Sequence, residues 1–305
     1  MKRSVFVQQN GAECDFNNSD SWVILSPIEQ SIKQKIEAVG TPLKDWDIQI
    51  NYGIKTGFND AFIISTEKRN EILANCLTED ERTRTAELIR PILRGRDIKR
   101  YGYDWAGLYL IATFPSRHYD IEMFPAVKRY LLSFGIERLE QTGKTHIVNG
   151  KNVKARKKTN NKWFETQDSI SYWEDFLRPK IVWKRVGSIL RFCYNNNGAL
   201  GLDSTCFATG KNIEFICCVL NSPMGHYLLK DAPKTGTGDL LISVQAVEPI
   251  KIPMITKEQN FIFEEALKEL IDYSSTEKEK EISHKVFDLY NLSHDEQKYI
   301  ENNFT

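Results

Sequence analysis

A short loop between two apolar runs carries the side chains best suited to contact a phosphate or a base edge. Gly53 and Gly57 flank it, and glycine allows backbone angles that other residues resist. Lys55, Thr56 and Asn59 supply a cation, a hydroxyl and an amide, which are groups that bind phosphate oxygens and base edges. The alternative is an ordinary hairpin with a solvated lysine, since short glycine loops are common.

The runs on either side of this loop predict the strands that would hold it. Ile48 and Ile50 alternate with polar neighbours, and residues 61–64 form a short apolar run. Alternation and short apolar runs near glycine are typical of strands. We therefore expect strand, loop and strand over residues 47–65.

A second candidate is a basic turn that follows a predicted helix, which starts at the capping box Thr78–Glu81 and ends near Pro91. The turn surrounds Gly95, contains one acid, Asp97, and has four bases: Arg94, Arg96, Lys99 and Arg100. Arginine forks match phosphate oxygens and guanine edges, so one interpretation is a phosphate clamp. The other is a solvated turn in which Asp97 pairs with an arginine.

The stretch between Glu140 and Glu165 is the most polar in the chain. It has no acid, and its seven bases are Lys144, Lys151, Lys154, Arg156, Lys157, Lys158 and Lys162. Such a run is usually a solvated loop, but uncompensated cations also suit an arm that follows a nucleic-acid groove. We predict that this insert is mobile without DNA, and we take Arg156, Lys157 and Lys158 as candidate contacts.

Residues 180–186 and 189–194 predict two further strands joined at a Gly-Ser turn. Lys184 and Arg185 would project from this sheet and are candidate contacts, whereas Trp183 and Tyr194 are expected in the core. Residues 205–208 predict another strand, and residues 213–220 and 224–229 predict helices.

Helices are expected both before and after these predicted strands. Ser26, Pro27 and Glu29 form a strong start signal, and apolar residues recur at helical spacing until Gly40. From Thr256 onward the chain predicts two or three amphipathic helices, with twelve acids against six bases. The rest of the chain then has six more bases than acids, which predicts a basic body with an acidic helical tail.

Composition excludes several classes of protein. With 305 residues, 41% hydrophobic and 27% charged, the chain can bury a full core. No apolar run is long enough to span a membrane and the start is too polar for a signal peptide, so a cytoplasmic location is expected. The six cysteines and five histidines do not have metal-ligand spacing, so no metal site is predicted.

Several motifs, in order, resemble the TaqI-like specificity domain. They are Pro42–Trp46, the segment GIKTGFNDAFII at Gly53–Ile64, Leu93–Tyr101, Leu220–Pro223, Gly236–Gly238, Pro249–Pro253, and Val286–Leu292 with Asp295 and Glu296. That domain lies C-terminal to the catalytic part of type II and type IIG restriction-modification adenine methyltransferases. It is related to type I specificity subunits. The resemblance covers roughly Pro42 to Ile300.

The resemblance implies an α/β (α+β) target-recognition domain with a mixed sheet, flanking helices and a C-terminal helical tail. Its expected divisions are a connector from a missing upstream part at 1–25, the recognition domain at 26–255 and the tail helices at 256–305. Its expected partners are double-stranded DNA and an upstream methyltransferase or nuclease domain. S-adenosylmethionine, with Mg²⁺ if a nuclease is present, would belong to that missing part. Lys234 and Thr235 then become candidate contacts to the DNA backbone.

No catalytic constellation is evident in the sequence. An amino-methylating enzyme needs an Asn/Asp-Pro-Pro-aromatic loop, and the chain has no Pro-Pro pair. The one Glu-x-Lys of the kind found in metal-dependent nucleases, Glu296 to Lys298, lies on a predicted acidic helix. We therefore interpret the chain as the recognition part of an enzyme whose catalysis lies elsewhere. The rivals are a protein-interaction module that uses the acidic helices and a complete nuclease with an unrecognised active site.

Overall fold

A computed structural model of the chain describes residues 25–273 and 275–304, and it has the predicted mixed α/β fold. The N-terminal part contains α1 (Pro27–Val39), β1 (Gly40–Pro42), β2 (Ile48–Tyr52), α2 (Asn59–Phe62), β3 (Ile63–Ser65), α3 (Thr66–Ala74), α4 (Glu79–Leu88) and β4 (Ile89–Leu93). The middle part contains β5 (Leu108–Ile111), α5 (Pro125–Leu132), α6 (Ile136–Leu139), β6 (Thr145–Val148), β7 (Lys151–Lys154), β8 (Lys180–Lys184), β9 (Val186–Gly187), β10 (Phe192–Asn195), β11 (Leu200–Gly201) and β12 (Thr205–Gly210). The C-terminal part contains α7 (Ile213–Asn221), α8 (Pro223–Leu228), β13 (Leu240–Leu241), α9 (Val244–Val247), β14 (Lys251–Pro253), α10 (Lys257–Asp272), α11 (Thr276–Leu289) and α12 (His294–Asn303).

Two four-stranded sheets form the centre of the described part of the chain. The first has the order β10-β8-β12-β2, and β12 runs antiparallel to both β8 and β2. The second has the order β11-β4-β5-β3. Because β12 opposes both of its neighbours, its start lies at the same edge of the sheet as the ends of β2 and β8.

The first sheet separates two apolar cores. Along β8, Ile181 and Trp183 face one core and Val182 faces the other, and along β12 Ala208 and Phe207 divide in the same way. This follows from the two-residue period of a strand, and it explains why these strands are apolar on both faces. Trp183 is buried, as predicted, and its indole N–H donates to the carbonyl of Ile242.

The segment of residues 47–65 contains the two predicted strands with a loop between them, but the strands do not pair with each other as in the hairpin alternative. β2 pairs with β12 in the first sheet, whereas β3 pairs with β5 in the second. Ala61 and Phe62, predicted in a strand, lie in the short helix α2. The cause is local: the Thr56 hydroxyl accepts from the backbone N–H of Phe58, which turns the chain before α2 begins.

The insert between Glu140 and Glu165 contains regular structure, and its mobility without DNA stays a prediction. β6 and β7 form an antiparallel hairpin with Thr145 opposite Lys154. The return strand then packs against the body, where the backbone N–H of Arg156 donates to the carbonyl of Glu140. The chain at this point is fixed because Arg156 enters the interior.

The acidic tail forms three helices, α10 to α12, which pack on the body as well as on each other. Phe263 of α10 lies 4.8 Å from Phe215 of α7 between ring centroids, within the first core. Arg100 of the body pairs with Glu279 of α11 at 3.0 Å. The predicted domain divisions stay a prediction, and all of the proposed connector except Leu25 lies outside the described residues.

Replacing Glu296 of α12 with glutamine should reduce the free energy of unfolding at pH 7 by about 2 kcal/mol. Burial raises the pKa of Glu296, but hydrogen bonds from Lys35, Ser31 and Ser293 outweigh it and lower the pKa from 4.5 to about 2. A lowered pKa stabilises the fold above pH 4.5, and this contribution is lost as the pH falls towards 2. Denaturant titrations between pH 3 and 7 would measure the difference. Glu265→Gln, at an exposed position of α10, is the control, and equal losses in both variants would contradict the prediction.

Candidate nucleic-acid interface

The ends of several strands bring their loops to one edge of the two sheets. The backbone N–H of Ile54, after β2, donates to Gly201 of β11, and Asp203 donates back to Ile54. Leu202 donates to Leu93 at the end of β4. Gly53 is required here, because a Cβ at this position would lie 2.0 Å from the carbonyl oxygen of Leu202. The loops after β2, β4 and β11 therefore form one continuous surface.

Two adjoining cavities follow this edge, with volumes of about 610 and 550 Å³. Three residues line both cavities: Lys55, Gln167 and Asp203. The first cavity also contains Tyr52, Tyr172 and Arg185, and the second also contains Asn59, Arg138, Lys154 and Lys157. We call this pair of cavities the recognition groove.

The loop that carries Lys55 is held by Asp168. The Asp168 carboxylate accepts from the backbone N–H of Lys55 at 3.2 Å, and the Asp168 N–H donates back to the carbonyl of Lys55. Burial raises the pKa of Asp168, and the charge of Asp203 adds to that rise, whereas the Lys55 N–H and the charges of Lys55 and Lys157 oppose it. The Lys55 backbone is therefore fixed while its exposed side chain remains free of any described partner.

Arg156 lies in the floor of the second cavity of the recognition groove, with its side chain buried. It is only 2% exposed, and its guanidinium donates to the carbonyl oxygens of Leu139, Thr56, Glu165 and Trp163 at 2.6 to 3.0 Å. Burial lowers the pKa of Arg156 to about 10, with a further contribution from Arg138. The structure does not favour a DNA contact by Arg156, because each of its three side-chain nitrogens already donates to a carbonyl oxygen of the protein; the contact stays a prediction. The side chain ties the insert to the Lys55 loop.

Thr56 is also structural, with 1% exposure. Its hydroxyl donates to the Asn59 side-chain oxygen at 2.6 Å and accepts from Phe58. Burial does not favour a DNA contact by Thr56, which stays a prediction, and Asn59 has a structural role as well as a candidate binding role. The Asn59 side chain is exposed and lines the recognition groove, but its oxygen also holds Thr56. Alanine at Asn59 would therefore disturb the loop as well as any base contact.

The basic turn contains the pairing of Asp97 with an arginine that one interpretation predicts, and the phosphate clamp stays a prediction. Arg94 pairs with buried Asp97 at 2.7 Å, and the Asp97 carboxylate also accepts from the Arg94 backbone N–H. Arg96 is exposed and has no partner in the described chain. Arg94 therefore shapes the turn, and Arg96 is the arginine available to a ligand.

The other predicted contacts fall at different places. Lys184 lies beside the basic turn, because a Cβ on Gly95 would lie 2.8 Å from its Cγ, and Arg185 lines the groove. Lys99 pairs with Asp104 at 3.1 Å and Arg100 with Glu279, so neither is free to attract an anion without breaking a pair. Three further candidates line neither cavity of the groove: Lys158, Lys234 and Thr235.

Sequence reasoning did not identify Gln167 and Asp203, which stand with Lys55 at the junction of the two cavities. The Asp203 carboxylate and the Gln167 side-chain amide have no hydrogen-bond partner among the described residues. A weak signal was available for Asp203, which directly follows the apolar run of β11. A carboxylate accepts from the cytosine amino group and an amide bonds adenine in two places, so both suit base edges.

The recognition groove has the chemistry of a binding surface. It offers cations, amides and carboxylates, and no group of three or more histidine, cysteine or acidic residues that could hold a metal occurs in residues 25–273 and 275–304. None of the helices within those ranges is both long and apolar enough to cross a membrane.

A family model described as the TaqI-like C-terminal specificity domain matches residues 90–249, which is just over half of the chain. The chain belongs to this family. The match contains the basic turn, the insert, and the Gln167 and Asp203 positions of the groove. It confirms the resemblance stated from the motifs.

Comparison with solved structures gives two similar chains, of which the first shares the fold. One is the type IIL restriction-modification enzyme MmeI in complex with DNA, with a TM-score of 0.52 and 10% identity over 87% of this chain and 36% of that chain. The other is the type IIG restriction endonuclease BpuSI, with a TM-score of 0.45 and 12% identity over 89% of this chain and 34% of that chain. The chain thus spans about a third of the length of either enzyme. No curated protein matches the sequence.

Proposed function

We propose that the chain is the DNA target-recognition domain of a restriction-modification enzyme and that the recognition groove contacts the duplex. The observation that best supports this proposal is that Lys55, Gln167 and Asp203 meet where the two cavities join. None of these three side chains has a hydrogen-bond or ion-pair partner among the described residues. Free cations position a phosphate backbone, and a free amide and carboxylate read base edges. Membership in the TaqI-like family supports this role.

The acids in the groove favour sequence reading over general attraction to DNA. A surface that only bound phosphates would have no use for Asp203, because a carboxylate repels them. A carboxylate among cations is useful where the protein must accept a hydrogen bond from the amino group of a base. We therefore place base readout at Asp203 and Gln167, and backbone contact at Lys55, Lys157, Lys184 and Arg185.

The finer proposal is that this domain serves an adenine-N6 methyltransferase, with or without a nuclease, in a cytoplasmic enzyme whose catalytic part lies outside this chain. S-adenosylmethionine and any Mg²⁺ would bind there. We expect the isolated chain neither to methylate nor to cleave DNA, and methyl transfer by this chain alone would contradict the proposal. The acidic helices support the rival interaction module less well, because they are packed on the body.

Duplex binding by the isolated chain should weaken steeply with salt, and a Lys55→Ala, Lys157→Ala double variant should reduce that slope by about two units. Each lysine that contacts a phosphate releases about one counterion, so its loss removes about one unit. Binding isotherms between 50 and 300 mM NaCl, run on a randomised duplex pool, would measure the slope. Lys257→Ala, at an exposed position of α10, is the control. An unchanged slope in the double variant would remove these lysines from the interface.

A further inference from the structure

A third cavity, of about 690 Å³, shares no lining residue with the two cavities of the recognition groove. Its wall includes Arg90 near the start of β4 and Leu200 at the start of β11, whereas the groove lies beyond the opposite ends of those strands. The remaining lining comes mainly from α4, the segment 112–124, and Trp173 and Leu177.

Three arginines line this cavity and none of them forms an ion pair. Arg84 has a buried Nε without a partner, and its terminal nitrogen reaches the Met123 carbonyl only at 3.5 Å. Arg90 donates to the Gly198 carbonyl at 3.2 Å. Glu87 and Asp120 also line the cavity, but neither pairs with these arginines. The positive charge here has no described counterion.

Arg117 is held without the use of its hydrogen-bonding edge. Its guanidinium lies 3.9 Å over the ring of Trp173. Stacking uses the face of the guanidinium and leaves its N–H groups at the edge for an anion. The next residue, His118, has a left-handed backbone with φ of 50°, which ends the short turn that presents Arg117.

The other walls of the cavity are aromatic and apolar. Phe114 and Tyr119 line it, and Met123 and Leu177 remain 49% and 44% exposed at its rim. Flat and apolar walls beside unpaired guanidinium groups suit a ligand with a planar ring and a phosphate. The volume lies within the range of ligand pockets, which is about 300 to 1,000 Å³.

We propose that this cavity binds one nucleotide unit, with the phosphate at Arg84 and Arg117 and the base against the aromatic wall. The unit has two possible sources with the same chemistry: a free mononucleotide or a nucleotide of a single strand. This site shares no residue with the recognition groove. The proposal of a nucleotide site therefore does not depend on whether the groove binds duplex DNA.

Intrinsic tryptophan fluorescence tests the proposal, with adenosine 5′-monophosphate and a single-stranded tetranucleotide as probes; the chain has six tryptophans, and Trp173→Phe identifies the part of the signal that comes from this cavity. We expect saturable quenching, with adenosine or inorganic phosphate alone binding at least about tenfold more weakly, because each makes only half of the contacts. Arg84→Ala and Arg117→Ala should each weaken mononucleotide binding about tenfold, as expected for one charged hydrogen bond. Arg82→Ala, an exposed arginine of the same helix that does not line the cavity, is the matched control.

The two probes distinguish the source of the ligand. Tighter binding of the mononucleotide would identify the ligand as a free nucleotide, and tighter binding of the tetranucleotide would identify it as part of a single strand. Either result supports the proposed site. Arg84→Lys keeps the charge and checks that a loss in Arg84→Ala is not a folding defect. Absence of saturation up to about 10 mM of either probe, or equal binding by Arg84→Ala, Arg117→Ala and Arg82→Ala, would overturn the proposal.

Discussion

Arg156→Met should reduce the free energy of unfolding by about 3 to 4 kcal/mol, because four carbonyl oxygens, three of them in buried hydrogen bonds, each lose the guanidinium as a donor. Methionine retains much of the apolar stem, so the loss reports the hydrogen bonds more than the packing. The variant should also bind duplex more weakly while folded, since the guanidinium holds the carbonyl of Thr56 next to Lys55. Denaturant unfolding measures the first effect and a binding isotherm the second.

The neighbouring residue gives a matched control for Arg156. Lys157 belongs to the same insert and is exposed, so Lys157→Ala should change the unfolding free energy by less than about 0.5 kcal/mol. It should weaken binding to all duplexes alike. If Arg156→Met were as stable as Lys157→Ala, the buried guanidinium would not anchor the insert.

Asp203→Ala should relax the preference for the cognate duplex over a scrambled one by up to about 100-fold, which corresponds to about 3 kcal/mol for loss of a base contact. The carboxylate has no described partner to lose, so the fold should be unaffected. Selection of bound sequences from a random pool would show the loss at one base pair. Gln167→Ala should act in the same way at a different base pair.

Arg96→Ala tests whether the basic turn contributes to sequence reading in addition to the recognition groove. If the exposed guanidinium of Arg96 bonds a guanine edge, its loss also reduces discrimination, whereas a phosphate contact would weaken cognate and scrambled duplexes equally. Lys157→Ala again supplies the nonspecific reference. Equal weakening of both duplexes by Asp203→Ala and Gln167→Ala would move sequence reading out of the groove.

The sequence predicted the helices well because their signals are local. The capping box of Ser26 and Glu29, the helix starting after Thr256 and the strands around Trp183 all occur as expected. In the segment around Lys55 both predicted strands form, but Ala61 and Phe62 lie in a short helix, and the strands pair with partners far along the chain that the sequence did not indicate. An apolar run such as residues 61–64 does not reveal which sheet it joins, or whether a turn of helix precedes it.

The candidate site was harder to predict for the same reason. Arg156 and Lys157 are adjacent bases in one polar run, and only the fold shows that one is buried under carbonyl oxygens and the other is exposed. Gln167 and Asp203 are 36 residues apart in the chain and meet at one junction. Burial and long-range proximity are set by packing, which residue type and spacing do not specify.

The position of β12 between β2 and β8 has an evolutionary consequence. The sheet frame depends on residues such as Phe207 and Val182, whereas Asp203, Gln167 and Arg96 lie in loops at its edge. A substitution at those loop positions removes no core contact, so it should change the free energy of unfolding very little. Such a domain can acquire a new target in single steps, with each intermediate folded, while the rest of the molecule remains under constant selection.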